Sequence, residues 1–190
     1  SILESETEDF KHEVTEFVAL EDNVKIYMMK LTNKHKQNKD VKVDFWLNPT
    51  FGNFEEKTTR HILSEFMGDD NYVKLRNVYS INYGDVNVFM STSERIEEAI
   101  CDKMLVKNIS FNVNLGKEEE KNLIFVLGCG MSDEENIALI KKYTDYNTCK
   151  KELHSVKDYW NKTLGTIQVD TPDKSLDYVI NGWYLYQALS

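Results

Sequence analysis

A change of hydrophobic period near Gly130 constrains this chain more than any other feature. Up to about Leu127 the apolar residues recur mostly at every second position; beyond Gly130 they recur at helical spacing. Period two belongs to strands with one face turned inward, and a 3.6-residue period to amphipathic helices. The expected fold is therefore mainly β, an antiparallel β-sandwich followed by an α-helical linker. Phe10, His12 and Val14 alternate with Asp9, Lys11 and Glu13. Runs 24–32 (VKIYMMKLT) and 41–47 (VKVDFWL) flank a polar connection at 33–40, which predicts a hairpin or neighbouring antiparallel strands. Further strands are expected at 58–66, 72–77, 86–91, 109–115 and 122–127. Ile109, Phe111, Val113 and Leu115 face one way, and Ser110, Asn112 and Asn114 the other. A turn at 116–122, rich in Glu and Lys, leads into LIFVL. With two prolines and eight glycines, the turns rely on Asn, Asp and Lys.

After the period changes, Ser132-Asp133-Glu134-Glu135 reads as a capping box, with Ile137, Ile140 and Tyr143 making the helix amphipathic. A second helix at 147–164 carries Cys149, Leu153, Val156, Trp160 and Leu164 on one face, and Gly165 stops it. An extended piece at 166–170 follows. Thr171 is expected to cap a last helix, with Pro172 at its first position. Leu176, Val179, Ile180, Trp183, Tyr184 and Gln187 then form one largely apolar stripe with no stop signal before Ser190. Such a helix is expected to pack against something the sequence does not contain, so the chain reads as a piece of a larger protein. The expected division is residues 1–130 for the sandwich, incomplete on its N-terminal side, 131–165 for a two-helix linker, and 166–190 for the start of a further helical domain.

Composition narrows the function classes. The apolar fraction is 41% and the aromatic fraction 12%, ordinary for a globular chain of 190 residues. A formal net charge of −9 argues against non-specific binding to nucleic acid or to an anionic membrane surface. No apolar run reaches the roughly 18 residues of a membrane span, and the acidic opening SILESETEDFKHE is unlike a signal peptide. Cys101, Cys129 and Cys149 are odd in number and widely spaced, which favours a reduced, cytoplasmic setting over a disulfide framework.

Several stretches are candidates for chemistry. Gly128-Cys129-Gly130 precedes a helix but lacks the third glycine and the βαβ context of a nucleotide site, so a sharp strand-to-helix turn is expected there. His12, His35, His61 and His154 show no metal-ligand spacing, and no catalytic or metal-binding residue is assigned. His35 is expected to be solvated in a basic turn, and His61, beside Arg60 and Glu65, is a weak functional candidate. Cys101 and Cys149 read as packing residues. The acidic runs at 4–9 and 118–120 read as solvated turns or edges. Arg76-Asn77-Val78-Tyr79 leads to Asn82-Tyr83-Gly84-Asp85, and planar polar groups beside aromatic rings can hold a sugar. A buried Arg–Asn corner is the structural alternative. Arg76, Asn77 and Tyr79 are thus candidate substrate contacts, and Trp183 and Tyr186 either line a sugar site or pack in a core.

The run W-x-x-x-L-G-x-I-Q-V-x-T-P-D-x-S-L-D, then N-x-W-x-x-Y-Q, from Trp160 to Gln187, resembles the domain junction of glycoside hydrolase family 94. FVALEDNVKIYMMKLTN (17–33), EKTTRH (56–61) and LRNVYSINYG (75–84) resemble the β domain of the same family, most closely its β-1,2-oligoglucan phosphorylase and cyclic-glucan-synthase branch. The residue after Arg-Asn is Val78, where the family usually has proline. The resemblance implies a large supersandwich of the galactose-mutarotase-like type, a helical linker and an (α/α)6 barrel. It also implies an inverting phosphorylase of β-glucan oligosaccharides. A barrel acid protonates the glycosidic oxygen while inorganic phosphate, a co-substrate rather than a cofactor, attacks the anomeric carbon to give α-glucose 1-phosphate. The catalytic and phosphate-binding residues would lie beyond Ser190. This segment would be non-catalytic, with the missing barrel and a homodimer mate as partners and no nucleic acid or membrane contact. The alternative is a free-standing carbohydrate-binding module displaying Trp46, Tyr79 or Tyr83.

Overall fold

The period-two stretch builds strands and the 3.6-period stretch builds helices, in the computed structural model, which describes residues 1–52, 61–79, 86–101, 107–166, 168–184 and 186–187. The described strands are β1 (Ile2–Glu6), β2 (Phe10–Val18), β3 (Val24–Asn33), β4 (Lys39–Leu47), β5 (Ile62–Met67), β6 (Tyr72–Asn77), β7 (Asn87–Thr92), β8 (Glu98–Ile100), β9 (Lys107–Leu115) and β10 (Glu120–Gly130). Then come α1 (Asp133–Tyr143), α2 (Tyr146–Leu164), α3 (Lys174–Tyr178) and a π-helical segment, Val179–Tyr184. The chain forms two compact units, Ser1–Cys149 and Lys150–Ser190.

In the first unit every strand pairing is antiparallel. A seven-stranded sheet has the order β1-β2-β3-β10-β7-β6-β5, and a three-stranded sheet the order β4-β9-β8. The sheets face each other across two apolar clusters. One joins Leu31, Leu123 and Phe125 to Val43, Phe111 and Val113. The other joins Val73, Leu75 and Met90 to Ile109. This is the expected sandwich.

The strand β10 is buried on both faces. Leu123 and Phe125 point at the small sheet, while Ile124 and Val126 point the other way and are equally buried. On that second side α1 packs against β10 and β7. The run LIFVL therefore has no alternation, as expected of a strand covered on both sides.

Two strand expectations are corrected. Runs 24–32 and 41–47 do not pair: β3 lies between β2 and β10, and β4 pairs with β9 in the other sheet. The reason is in their composition. Both faces of β3 carry apolar residues, Val24, Ile26 and Met28 on one and Tyr27, Met29 and Leu31 on the other, so it suits cover on both sides, whereas β4 alternates apolar with mostly charged residues and suits a sheet with one wet face. The crossing between sheets is held by Asn33, whose buried amide donates to the Gln37 and Gly116 carbonyls at 2.8 Å each while its Oδ1 accepts from the His35 N–H at 2.9 Å. Ser110 faces away from Ile109 and Phe111 as expected, and is nevertheless buried, with its hydroxyl donating to Glu98 Oε2 at 3.4 Å.

The second correction concerns Gly128-Cys129-Gly130. These residues are not a turn but the end of β10, paired with Phe89, Val88 and Asn87 of β7. Gly128 is required because the Phe89 ring lies across it, where a Cβ would meet Phe89 Cζ at 2.6 Å and the Asn23 carbonyl oxygen at 2.9 Å. At Gly130 a Cβ would meet Asn136 Oδ1 at 2.8 Å.

The chain turns into α1 through the expected box. Ser132 Oγ accepts from the Glu135 N–H at 3.2 Å, and Glu135 Oε2 reaches back to the Met131 N–H at 2.8 Å, one residue before the cap. Asp22, between β2 and β3, accepts from Lys142 Nζ at 2.6 Å and from the Tyr143 hydroxyl at 2.7 Å, clamping the end of α1. At the start of α1, the half-buried Lys74 Nζ lies 2.5 Å from Asp133. Burial and the neighbouring Asp133 and Asp70 push the Tyr72 hydroxyl up to about 12. The acidic N-terminus supplies β1, an exposed edge strand with Glu4 and Glu6 on it, the edge rather than the turn of the two readings.

In the second unit, the inward residues of α2, Leu153, Val156, Trp160 and Leu164, share one face as expected. The last helix differs from expectation. Its cap is Asp173, which accepts from the Ser175 N–H at 3.0 Å, and not Thr171. Thr171 is occupied elsewhere: its N–H donates to Asp177 Oδ1 at 2.9 Å. Asn181 bonds both backbone groups of Val169, at 2.7 and 2.9 Å. Asp177 and Asn181 thus hang the preceding extended piece on one side of the helix. The π-helical turn breaks the α-helical stripe, and Leu176, Val179, Trp183 and Tyr184 stand exposed.

Gly128→Ala is expected to lower stability by about 1–3 kcal/mol, because neither the Phe89 ring nor the backbone can move far. Gly68→Ala, whose Cβ would lie 3.6 Å from Phe66, should change it by less than about 0.5 kcal/mol. Urea unfolding of both variants checks this. The Asp22 carboxyl is held below its usual range by its bonds from Lys142 and Tyr143. A depressed carboxylate contributes stability above its unfolded pKa and loses it as pH falls through the folded value. Asp22→Asn should therefore cost about 1 kcal/mol near pH 7, allowing for the half-exposed lysine, and the gap to the parent should close below about pH 4. Thermal melts across pH 3–7 measure that gap.

Candidate functional site

The exposed corner where β5 begins and β6 ends gathers most of the predicted contact residues. The two strands run antiparallel with Ile62 opposite Asn77 and Leu63 opposite Arg76. Alternation then places Ile62, Leu75 and Asn77 inward and Leu63, Arg76 and Val78 outward. Beyond the last pair the Val78 N–H donates to the His61 carbonyl at 3.1 Å, which extends the ladder by one rung. A proline at 78 could not make that bond. His61 and Tyr79 stack with ring centroids 4.8 Å apart and planes 22° from parallel. Tyr79 is 54% exposed.

Asn77 has a holding role. Its buried amide donates to the Phe51 carbonyl at 2.6 Å, and its Oδ1 accepts from the Tyr79 N–H at 2.9 Å. The Arg–Asn corner is thus partly the structural device: Asn77 faces in and fixes Tyr79, while Arg76 faces solvent. The corner presents an exposed aromatic stack, and Arg76 stands exposed on β6 three residues before Tyr79. That combination matches the C–H face and hydroxyl edge of a pyranose. His61 was legible only as a weak candidate, since its stacking partner lies eighteen positions away. Asn82, Tyr83, Gly84 and Asp85, and 56–60 of the EKTTRH run, lie outside the described residues.

Trp183 belongs to the second unit. It is 59% exposed, with its ring centroid 6.2 Å from Tyr186, whose ring is 5.7 Å from Trp160. Trp46, on the outer side of β4, is 65% exposed.

The remaining titratable groups take structural parts. His35 is not simply solvated: its ring contacts the Asp9 carboxylate, which is held below the usual range by that hydrogen bond. Burial raises the thiols of Cys101 and Cys129, which disfavours the thiolate, and the buried Cys149 Sγ donates to the Tyr143 carbonyl at 3.0 Å. Among the described residues every carboxylate with a displaced pKa is displaced downward, by lysine, serine, tyrosine, histidine or backbone donors. None of these is tuned to keep a proton at neutral pH, as a general acid requires. No group of three or more His, Cys, Asp or Glu side chains among the described residues is placed to hold a metal, and no described helix is long and apolar enough to cross a membrane.

Comparison with known proteins agrees with the fold. The family description "Glycosyl hydrolase 94, supersandwich domain" matches residues 1–105. An N,N'-diacetylchitobiose phosphorylase of Vibrio proteolyticus is 31% identical over 70 residues, 37% of this chain and 8% of that protein. The cyclic β-(1,2)-glucan synthase NdvB of Rhizobium meliloti (strain 1021) is 20% identical over 195 residues, 87% of this chain and 7% of that protein. Among solved structures, a putative kojibiose phosphorylase from the human microbiome superposes with a TM-score of 0.55 at 12% identity, covering 81% of this chain and 22% of that one. The chain thus spans under a tenth of the length of these curated relatives.

The corner yields its own prediction. A double-mutant cycle on His61→Ala and Tyr79→Ala should give a coupling of about 0.5–1 kcal/mol, the lower part of the range for aromatic pairs because Tyr79 is half in water. Urea unfolding of the four proteins measures it.

Proposed function

Because the chain belongs to the glycosyl hydrolase 94 family through its supersandwich domain, we propose that it is the non-catalytic sandwich and connector of a glycoside phosphorylase acting on β-glucan oligosaccharides. The observation that carries this reading is the match of the family's supersandwich to residues 1–105. The length of the match to the cyclic β-(1,2)-glucan synthase supports the β-glucan preference, since it covers 87% of this chain. In this reading residues 1–130 are a galactose-mutarotase-like sandwich, 131–165 a connector, and 166–190 the start of an (α/α)6 barrel.

The barrel supplies the acid that protonates the glycosidic oxygen, and inorganic phosphate attacks the anomeric carbon from the opposite face. Atoms balance: the glycosidic C–O bond breaks, a phosphate C–O bond forms, and the leaving sugar takes the proton. Arg76 and Tyr79 touch sugar, Asn77 holds Tyr79 in place, and Trp183 of the second unit is a separate sugar contact. The working protein is a cytoplasmic homodimer.

The test is phosphorolysis of β-1,2-glucan oligomers by Ser1–Ser190 and by the longer natural polypeptide that includes the barrel. The longer chain is expected to release α-glucose 1-phosphate and the shorter none; release by the shorter chain overturns the reading. In the longer chain Arg76→Ala should raise KM about tenfold, equivalent to about 1.4 kcal/mol. A second reading, a free-standing carbohydrate-binding module, is favoured by the exposed His61–Tyr79 stack and Trp46. Calorimetry of Ser1–Ser190 with the same oligomers separates the two, because affinity that Tyr79→Ala abolishes would support the module.

A further inference from the structure

The outer face of the small sheet, turned away from the sandwich core, carries a strip of polar side chains with an exposed tryptophan at one end. Trp46 of β4 lies opposite Asn108 of β9, and Ile100 of β8 lies opposite Asn108 on the other side. Trp46 and Ile100 are both exposed, and two strand spacings put them roughly 10 Å apart. Between them Asn108 Oδ1 is an acceptor with no donor among the described residues. From Trp46 back to Asp40 the strip runs along six residues of β4, roughly 20 Å.

The polar side chains of the strip hold one another. Asn108 Nδ2 donates to Asp44 at 3.0 Å, Asn112 Nδ2 to Glu97 at 2.6 Å and Asn114 Nδ2 to Asp40 at 2.7 Å. Lys42 Nζ donates to Glu98 at 3.0 Å. Pairs of this kind stabilise a sheet in their own right, but they also decide what is left for a partner. Asp40, Asp44 and Glu97 each keep a second oxygen without a donor among the described residues. The strip is thus rich in acceptors and ordered before anything binds, so little side-chain freedom remains to be lost. Its charge is negative, since Asp40, Asp44, Glu97 and Glu98 outweigh Lys42.

These properties select the chemistry of the partner. A negative strip repels phosphates and anionic sugars. A neutral pyranose meets every condition: its C–H face stacks on an indole ring, and each hydroxyl on its edge donates to an oxygen acceptor. A chain of such sugars places further hydroxyls along the strip behind the first ring. The strip lies on the small sheet, whereas the His61–Tyr79 stack lies where β5 and β6 of the large sheet meet, so the two surfaces are separate.

We propose that this outer face is an accessory glucan-holding site, with Trp46 stacking on one ring of a neutral glucan chain and the amide–carboxylate strip accepting hydrogen bonds from the rings that follow. It would keep polymer on the protein between turnovers without taking part in the chemistry. The choice of glucan rests on the function proposed above, but the test needs no catalysis. The natural longer polypeptide is run in native gels containing β-1,2-glucan polymer, and its retardation gives an affinity. Trp46→Ala is expected to weaken that affinity at least tenfold, Trp46→Phe to restore most of it, and Asn112→Ala to weaken it severalfold, all with the unfolding midpoint of the parent. A parent that is not retarded, or a Trp46→Ala variant retarded as strongly as the parent, overturns the proposal. Retardation by decalysine alone, lost at high salt, also overturns it, because the face would then dock a basic protein. Release of α-glucose 1-phosphate without Trp46-dependent retardation sinks the accessory site and leaves the phosphorylase reading intact. Trp46-dependent retardation without that release supports the site and counts against the phosphorylase reading.

Discussion

The double-sided burial of β10 is the constraint on which the rest of this structure depends. A strand with apolar residues at consecutive positions cannot sit in a sheet with a wet face. It needs β3 and β7 on its edges, the small sheet over one face and α1 over the other. That requirement turns two sheets and a helical layer into one compact unit. The glycines at 128 and 130 serve the same end, because the Phe89 ring and Asn136 occupy the space their side chains would take. The capping box and the Asp22 clamp then fix the two ends of α1 against this layer.

Away from β10 the sheets become simpler and wetter. β4 alternates apolar and charged residues, and β1 is an exposed acidic edge. At the β5–β6 corner Asn77 is spent inward on the backbone, and Tyr79 and His61 stack beside it. This division between a held residue and a displayed one is what a rigid sheet end offers to a ligand.

Local signals in the sequence were the most legible. Periodicity found the strands that became β6 and β9 almost to the residue, and the capping box located α1 because its bonds join near neighbours. Pairing was less legible. Strands adjacent in sequence looked like a hairpin, yet the apolar residues on both faces of β3 against the alternation of β4 already distinguish a central strand from one with a wet face. Gly128-Cys129-Gly130 misled because glycine marks a turn and a close side-chain approach equally well, and only the position of Phe89 decides between them. The last helix misled for a similar reason. Its apolar stripe was read without the competing polar pair Asp177 and Asn181, whose bonds to Thr171 and Val169 set which side turns inward. At the candidate corner Arg76 and Tyr79 were singled out by residue type, whereas the stacking of His61 is a tertiary fact.

The central claim is that consecutive side chains of β10 are both core, one on each side. Equilibrium unfolding of Ile124→Ala and Phe125→Ala tests it most directly. Ile124 is 1% and Phe125 4% exposed, on opposite faces of the strand. Losses of about 2–5 kcal/mol and 3–5 kcal/mol are expected. A near-neutral result at Ile124 beside a large loss at Phe125 would mean a sheet with one wet face, and would contradict the three-layer account.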